Sequence, residues 1–330
     1  MDKEEVLTCD SNRKMHSLSG KKCSHCKDKA VIYLPYAERY MCDNHLCRYV
    51  EKTFFKTLSE FKWIGKNDKV AVGLSGGKDS VVLLNLLALL KKKLPYTLIA
   101  ITIDLGIDCD YNRKTIEIAK EECKRLNIPH YLFNLKEDFG YSLEDIVKKT
   151  KTQNPCSFCG VAKRYFLNKH ARELGAKKIA IAHTLNDTAE TIMMNILRNE
   201  PLRLFRYNEH LVDDEKFVPR IKPLIRLSED EIIAYGKAKK FPILDKKCCP
   251  YSVFAFRKFV RLQLDELENR YPGTRFRILN SFLALQKIFR QQKNSFSVLH
   301  CKKCGEPSSK EVCKLCEMVA VLKNLKNQNI

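Results

Sequence analysis

Residues 69–80, Lys69-Val70-Ala71-Val72-Gly73-Leu74 followed by Ser75-Gly76-Gly77-Lys78-Asp79-Ser80, decide how this chain folds. The first six form a compact apolar run bounded by Asp68 and Ser75, which predicts a buried strand. Residues 79–91 carry the apolar spacing of a helix. Two glycines between a strand and a helix start let backbone N–H groups approach an anion closely, and the helix N-terminus adds positive partial charge. Lys78 supplies a full charge. The loop lacks the longer spacing of a Walker phosphate loop and is not a Rossmann fingerprint. The plain alternative is a tight structural turn with the helix capped by Asp79 or Ser80.

Working outward, strand and helix signals alternate. Residues 97–103 (TLIAITI) are β-branched and end at Asp104, and residues 113–126 interleave charges at helical spacing. Residues 130–135 form a short apolar run after Pro129, and residues 158–174 read as a helix stopped by Gly175. Residues 178–182 read as another buried strand and 187–197 as another helix. Continuous apolar strands separated by helices predict an α/β fold, a parallel sheet covered on both faces, with its site at the carboxyl ends of the strands. Asp104 stands at such an end and reads by itself as a loop or capping residue; resemblance to a nucleotide-binding family, drawn below from the Ser75–Ser80 loop, implies instead a place near the adenine and ribose.

The chain has 330 residues, enough for one sizeable core with small appendages. The division expected is 1–50, a cysteine-rich module; 51–225, the nucleotide-binding domain; 226–298, a helical part; and 299–330, a second cysteine-rich module. The formal net charge of +21 predicts attraction to polyanions, nucleic acid first and an anionic membrane surface second. The longest apolar run, residues 81–90, is interrupted by Asn85 and is about half the length of a membrane span. The reading is therefore a soluble, cytoplasmic protein with no membrane partner.

There are 15 cysteines, and they fall largely as close pairs, which favours metal or redox sites over disulfides. Cys23-x-x-Cys26 with Cys42-x-x-His45 has the spacing of a zinc site with three cysteines and one histidine, for which His25 and Cys47 are substitute ligands. Cys301-x-x-Cys304 with Cys313-x-x-Cys316 forms a compact four-cysteine set. Two Zn²⁺ ions are expected, in closed structural sites that leave no open position for catalysis. Between them, Cys156 and Cys159 lie just before a helix, where thiols become better nucleophiles or ligands. Cys249 lies far along the chain, beside Cys248. Three such cysteines brought together could hold three irons of a cubane cluster and leave the fourth open to sulfide, or two could serve as a disulfide and persulfide pair.

Ser75-Gly76-Gly77-Lys78-Asp79-Ser80 matches the S-G-G-x-D-S signature, and here the chain resembles the PP-loop ATPases, or N-type ATP pyrophosphatases. In that family the loop grips the pyrophosphate of ATP and the enzyme adenylates a substrate oxygen. The Cys-x-x-Cys pair followed by Gly160 and Lys163-Arg164, with a distant Cys249-Pro250-Tyr251, resembles the tRNA 2-thiolation branch, the TtcA, TtuA and NcsA type. Two flanking zinc modules bring it nearer the latter two. The resemblance implies a [4Fe-4S] cluster on Cys156, Cys159 and Cys249, the last chosen because it directly precedes Pro250-Tyr251. Residues 183–191 (HTLNDTAET) resemble the family's G-H-N-x-D-D-x-A-E-T stretch, with Ala182, Thr184 and Asn186 departing from it. Asp187 matches the retained acid, a candidate for catalysis or for holding ATP and Mg²⁺. Lys163 matches a position near the nucleotide phosphates, and its bland reading is a solvated helix face.

The implied activity is ATP-dependent 2-thiolation of a tRNA uridine: adenylation of the 2-oxygen, then displacement of AMP by sulfur. Sulfide or a ubiquitin-like thiocarboxylate protein would supply the sulfur, and a homodimer is implied. Arg257, Lys258, Arg261, Arg275, Arg277, Lys287 and Arg290 accompany two helical stretches. They read either as a platform for tRNA phosphates or as ordinary solvated faces. Two rival functions are weighed: a PP-loop enzyme adenylating another substrate, and a zinc-module nucleic-acid-binding protein with a decayed ATP site. The cysteine triad argues against the first and the intact Ser75–Ser80 loop against the second.

Overall fold

The computed structural model describes residues 17–150, 155–205, 214–244, 256–291 and 299–327. The chain opens with a hairpin, β1 (Ile32–Leu34) paired antiparallel to β2 (Arg39–Met41), which leads into helix α1 (Asp43–Phe61). Leu46, Val50, Phe54 and Leu58 recur every four residues along α1 and are all buried, giving it one apolar stripe. Lys62, in the left-handed conformation, ends it.

Five parallel strands follow: β3 (Lys69–Gly73), β4 (Thr97–Asp104), β5 (His130–Asn134), β6 (Lys178–Ala180) and β7 (Arg220–Ile221). Their order is β5-β4-β3-β6-β7. The chain steps from β3 to one side and from β6 to the other, so the crevice of the sheet opens between the carboxyl ends of β3 and β6. The parallel α/β sheet foreseen from the sequence is therefore observed. β7, a strand the periodicity did not signal, is only two residues long. Such a strand has no alternation to read, and its pairing with β6 is a tertiary event.

The helices between and after the strands are α2 (Lys78–Leu90), α3 (Asp110–Arg125), α4 (Leu135–Phe139), α5 (Leu143–Thr150), α6 (Pro155–Glu173), α7 (Leu185–Leu197), α8 (Pro201–Phe205), α9 (Glu229–Ala238), α10 (Phe256–Arg270) and α11 (Thr274–Gln291). α2 is apolar nearly all round and central: Val81, Val82, Leu83, Leu84, Leu86 and Leu87 are fully buried. Each such side chain contributes about 1.5–3 kcal/mol of transfer free energy. α9 packs on α1 and α2, while α10 and α11 pack on α7. The chain closes with a short hairpin, β8 (Leu299–His300) and β9 (Pro307–Ser308), and helix α12 (Lys314–Asn327).

Two cores bear on the placement of the site. The main one joins Leu34, Phe54, Trp63, Leu83, Leu98, Ile232 and Leu279, so the first hairpin and α1 share it with the sheet. A second joins Leu143, Ile146, Phe158 and Phe166 to Cys313, Leu315 and Leu322. No helix among the described residues is long and apolar enough to cross a membrane.

Candidate active site and metal centres

The loop after β3 is built to leave its N–H groups open. Gly76 adopts φ +72°, and a Cβ there would sit 1.8 Å from the Thr115 carbonyl oxygen, so only glycine fits. Gly77 is the N-cap of α2 and makes no side-chain cap bond, while its own N–H donates to Ser75 Oγ at 3.4 Å. The alternative in which Asp79 or Ser80 caps the helix is thus replaced by a glycine cap. Ser80 Oγ donates to the Gly77 carbonyl at 2.9 Å and lies 3.1 Å from Ser75 Oγ, bracing the loop from within. Thr102 Oγ1 donates to the Leu74 carbonyl at 2.6 Å, tying the loop's root to β4.

Charges alternate beside the loop. Lys78 Nζ lies 2.9 Å from Asp79 and 2.6 Å from Glu229 on α9. Burial works against the Lys78 charge, but those two carboxylates outweigh it and raise its pKa. Asp79 is pushed up, by burial first and also by Glu229 and Asp187, with Lys78 opposing. Asp187 closes a capping box with Thr184, its carboxylate accepting from the Thr184 N–H at 3.0 Å. Burial alone would raise Asp187, yet the Thr184 N–H, Arg257 and Arg261 hold it below the ordinary value. One turn along α7, Glu190 is fully buried and receives Arg257 at 3.0 Å and Arg261 at 2.7 Å. Arg261 also lies 3.9 Å from Asp187 and 3.8 Å from Glu229. Glu190, Glu229, Arg257 and Arg261 were not singled out as site residues from the sequence. Glu190 three residues after Asp187 is a signal that helical spacing could have given.

The basic C-terminal stretch therefore divides. Arg257 and Arg261 turn inward to the loop's acidic neighbours, and Arg275 forms a buried pair with Asp265 at 2.5 Å. Arg275 is thereby withdrawn from both a phosphate platform and a solvated face, whereas Arg257 and Arg261 stay part-exposed. Arg277 and Lys287 remain exposed.

At the end of β4, Asp104 accepts from the Gly106 N–H at 2.9 Å, Asn112 Nδ2 at 3.2 Å and Asn134 Nδ2 at 3.3 Å. Its carboxylate is thereby fixed within the loop that leads to α3. Cys156 and Cys159 occupy the first turn of α6, and both thiols are partly exposed. Lys163, exposed, follows Cys159 by four residues, so the three share one side of the helix. Cys248 and Cys249 lie outside the described residues. His183, at the exit of β6, is pushed down to about 4 by burial, with Lys222, Arg257 and Arg164 adding and Asp187 opposing, so its imidazole is neutral. Its Nδ1 is buried without a hydrogen-bond partner. Arg220 donates to the Arg164 carbonyl at 3.1 Å and is pushed down to about 10 by burial and by the Arg164 charge. Arg164 in turn lies within electrostatic reach of Cys159 and Arg257.

Both terminal clusters bring four donors together, with all ligand atoms of a set within 4.8 Å of one another. In the first, Cys23, Cys26 and Cys42 lie 3.6, 3.5 and 3.3 Å from His45 Nδ1, and Cys26 lies 3.6 Å from Cys42. In the second, Cys304 lies 3.7 Å from Cys313. A tetrahedral Zn²⁺ with bonds of about 2.0–2.3 Å has ligand–ligand edges of about 3.3–3.8 Å, so both sets fit that ion. Backbone N–H groups of His25, Lys303, Cys313 and Cys316 point at ligand sulfurs over 3.2–3.4 Å, which stabilises negative charge on those sulfurs and fixes their direction. His25 stacks on the His45 ring at 5.1 Å, and neither it nor Cys47 belongs to the four-donor group.

Residues 48–266 match the family described as the PP-loop domain. The tRNA-5-methyluridine(54) 2-sulfurtransferase of Pyrococcus horikoshii is 34% identical over 304 residues, covering 92% of this chain and 95% of that protein. The tRNA 2-thiolation protein NcsA of Haloferax volcanii is 31% identical over 315 residues, covering 90% and 98%. The structure of the U34-tRNA thiolase NcsA from Methanococcus maripaludis with its [4Fe-4S] cluster superposes with a TM-score of 0.78 at 32% identity, covering 93% of this chain and 97% of that one. With a Ser75–Ser80 loop at the sheet's crevice, a Cys-x-x-Cys turn opening α6 and relatives matched over nearly their whole length, the chain belongs to the PP-loop family, in its tRNA 2-thiolation branch.

Proposed function

We propose that this protein is a tRNA uridine 2-sulfurtransferase that adenylates the base with ATP and then replaces the 2-oxygen by sulfur. The observations that carry the reading are a glycine loop at the carboxyl end of β3 and a part-exposed thiol pair near the start of α6, in a chain matched by tRNA thiolation proteins over nearly its whole length. The N–H groups of the loop receive the phosphates of ATP, aided by the α2 N-terminus. Lys78 stays charged between Asp79 and Glu229 and adds a cation at the pyrophosphate side. The 2-oxygen of the uridine attacks the α-phosphate, forming an adenylated base and releasing pyrophosphate. Asp79 and Asp187 are the carboxylates for Mg²⁺, which would supply charge neutralisation as pyrophosphate leaves. Their mutual repulsion with Glu229 fits such a cation.

Two thiols one turn apart suit an iron–sulfur cluster, and a [4Fe-4S] cluster on Cys156, Cys159 and Cys249 would supply an iron open to sulfide. Lys163, on the same side of α6, faces the anionic groups brought to those thiols. Two Zn²⁺ ions are proposed for the terminal four-donor sets, in structural roles. The tRNA would present a loop base or an extruded one. The sulfur would come from sulfide or a ubiquitin-like thiocarboxylate protein. The protein is proposed to act in the cytoplasm as a homodimer, with the domain division 1–50, 51–225, 226–298 and 299–330.

The test is a thiolation assay. The protein is purified without oxygen, reconstituted with iron and sulfide, and given ATP, Mg²⁺, sulfide and unmodified tRNA. ATP-dependent 2-thiouridine that vanishes in Cys156→Ala supports the proposal, and mapping it identifies the uridine. Cleavage of ATP to AMP without 2-thiouridine would overturn it in favour of another adenylated substrate.

A further inference from the structure

The C-terminal four-cysteine module sits against the helix that carries the site's thiols. On α6, Phe158, Ala162 and Phe166 recur every four residues and are buried in the second core, together with Cys301, Cys313, Leu315 and Leu322. Cys159 and Lys163 each follow one of these residues, about 100° further round the helix. The azimuth of the buried stripe therefore sets the azimuth of the thiol side. α12 packs along both α5 and α6.

The far end of α6 is held by charge. The Arg172 guanidinium donates to both oxygens of Glu306, at 2.9 and 2.5 Å, and Glu306 is 8% exposed. Lys216 adds a strap: its Nζ donates to the Gly305 carbonyl at 3.0 Å, while its own carbonyl accepts from Asn168 and Arg172, both at 2.8 Å. Glu306 and Gly305 belong to the module, and Asn168 and Arg172 belong to α6. A helix fixed by apolar packing near one end and by a two-pronged ion pair near the other cannot roll freely.

We propose that the C-terminal four-cysteine module positions α6, fixing the direction of Cys156 and Cys159, with Glu306 as a positioning residue. The inference rests on the proposed function for the importance of those thiols, but its structural core is testable without activity.

The experiment uses the full chain, with Cys313→Ser to open the metal set and Glu306→Gln to weaken the strap while leaving all four donors. Zinc content, amide exchange of residues 155–173, iron retained after reconstitution, and kcat and KM for tRNA are measured. Glu306→Gln is expected to keep its zinc, to exchange about three- to tenfold faster in α6 but not in α2, and to lose kcat with KM unchanged. Cys313→Ser is expected to lose one zinc and to show the same pattern more strongly. Unchanged α6 exchange in both variants, or a rise in KM for tRNA alone, would overturn the positioning role. Should wild-type protein make no 2-thiouridine while α6 exchange still follows the module, the positioning stands and the proposed function falls. Should wild-type protein thiolate while Glu306→Gln matches it in every readout, only the positioning falls.

Discussion

The two terminal modules have nearly the same donor chemistry and opposite structural addresses. In the first, Cys42 is the N-cap of α1, a helix whose Val50, Phe54 and Leu58 lie in the main core. Tyr36 from its hairpin donates to Glu231 on α9 at 2.5 Å and rests on Phe276 of α11 at 4.7 Å. In the second, Cys301, Cys313, Cys316 and α12 lie in a smaller core shared with α5 and α6. The lesson is that a four-donor set acts on whatever core its hairpin joins. The first module is continuous with the body that carries the phosphate loop, and the second is attached to the helix that carries the thiols.

The largest expected effect tests that contrast. Structural zinc contributes on the order of 10–16 kcal/mol to small modules, against a total stability of about 5–15 kcal/mol for a domain. Cys42→Ser should therefore unfold the protein as a whole, seen as loss of its cooperative circular-dichroism transition. Cys313→Ser should leave the main transition within a few degrees. Equal losses in the two variants would erase the distinction.

Next is the loop on the first module's body. Gly76→Ala places a Cβ against the Thr115 carbonyl at a left-handed φ, so the loop must open. ATP affinity, measured by titration calorimetry, should fall about 100-fold or more, with α6 exchange unaffected. Wild-type affinity would mean that the loop geometry does not hold the nucleotide.

A smaller effect concerns the anchor of the first module. Tyr36→Phe leaves the buried Glu231 short of a donor and should cost about 1–3 kcal/mol in denaturant unfolding. Burial raises the Glu231 pKa, with the hydrogen bonds from Tyr36 and Ser228 opposing. Its folded pKa lies above the unfolded one, so its stability contribution is complete below the ordinary glutamate value and is lost as pH rises through the folded value. Wild-type protein should therefore lose stability with rising pH relative to Glu231→Gln, and parallel pH profiles would refute the assignment. The smallest effect is at Asp68, where β3 begins. The Gly65 N–H, at 2.7 Å, and Lys178 lower its pKa against the opposing effect of burial. Asp68→Asn should cost about 1 kcal/mol near neutral pH in the same denaturant assay, vanishing as pH falls through the carboxylate range.

Much of the site was legible because its signals are local. A strand, two glycines and a helix within twelve residues dictate an open loop. Paired donors three residues apart mark a candidate metal set, since nearby ligands of that spacing can close on one ion. The alternation of apolar runs with amphipathic segments dictates a parallel sheet. What remained hidden depends on residues distant in sequence.

The residues alone thus determined the fold class, the phosphate loop, the thiol turn of α6 and the donors of both modules, because each is specified within a turn or two of chain. Tertiary structure decided that Lys78 meets Glu229, 151 residues away, and that Arg261 meets Glu190, 71 residues away. It also decided that Arg275 is buried against Asp265, that β7 completes the sheet, and which core each module joins. No local rule carries such information. A lysine or arginine reads the same on a solvated face as beside a buried carboxylate, and only packing, by excluding water, selects its partner.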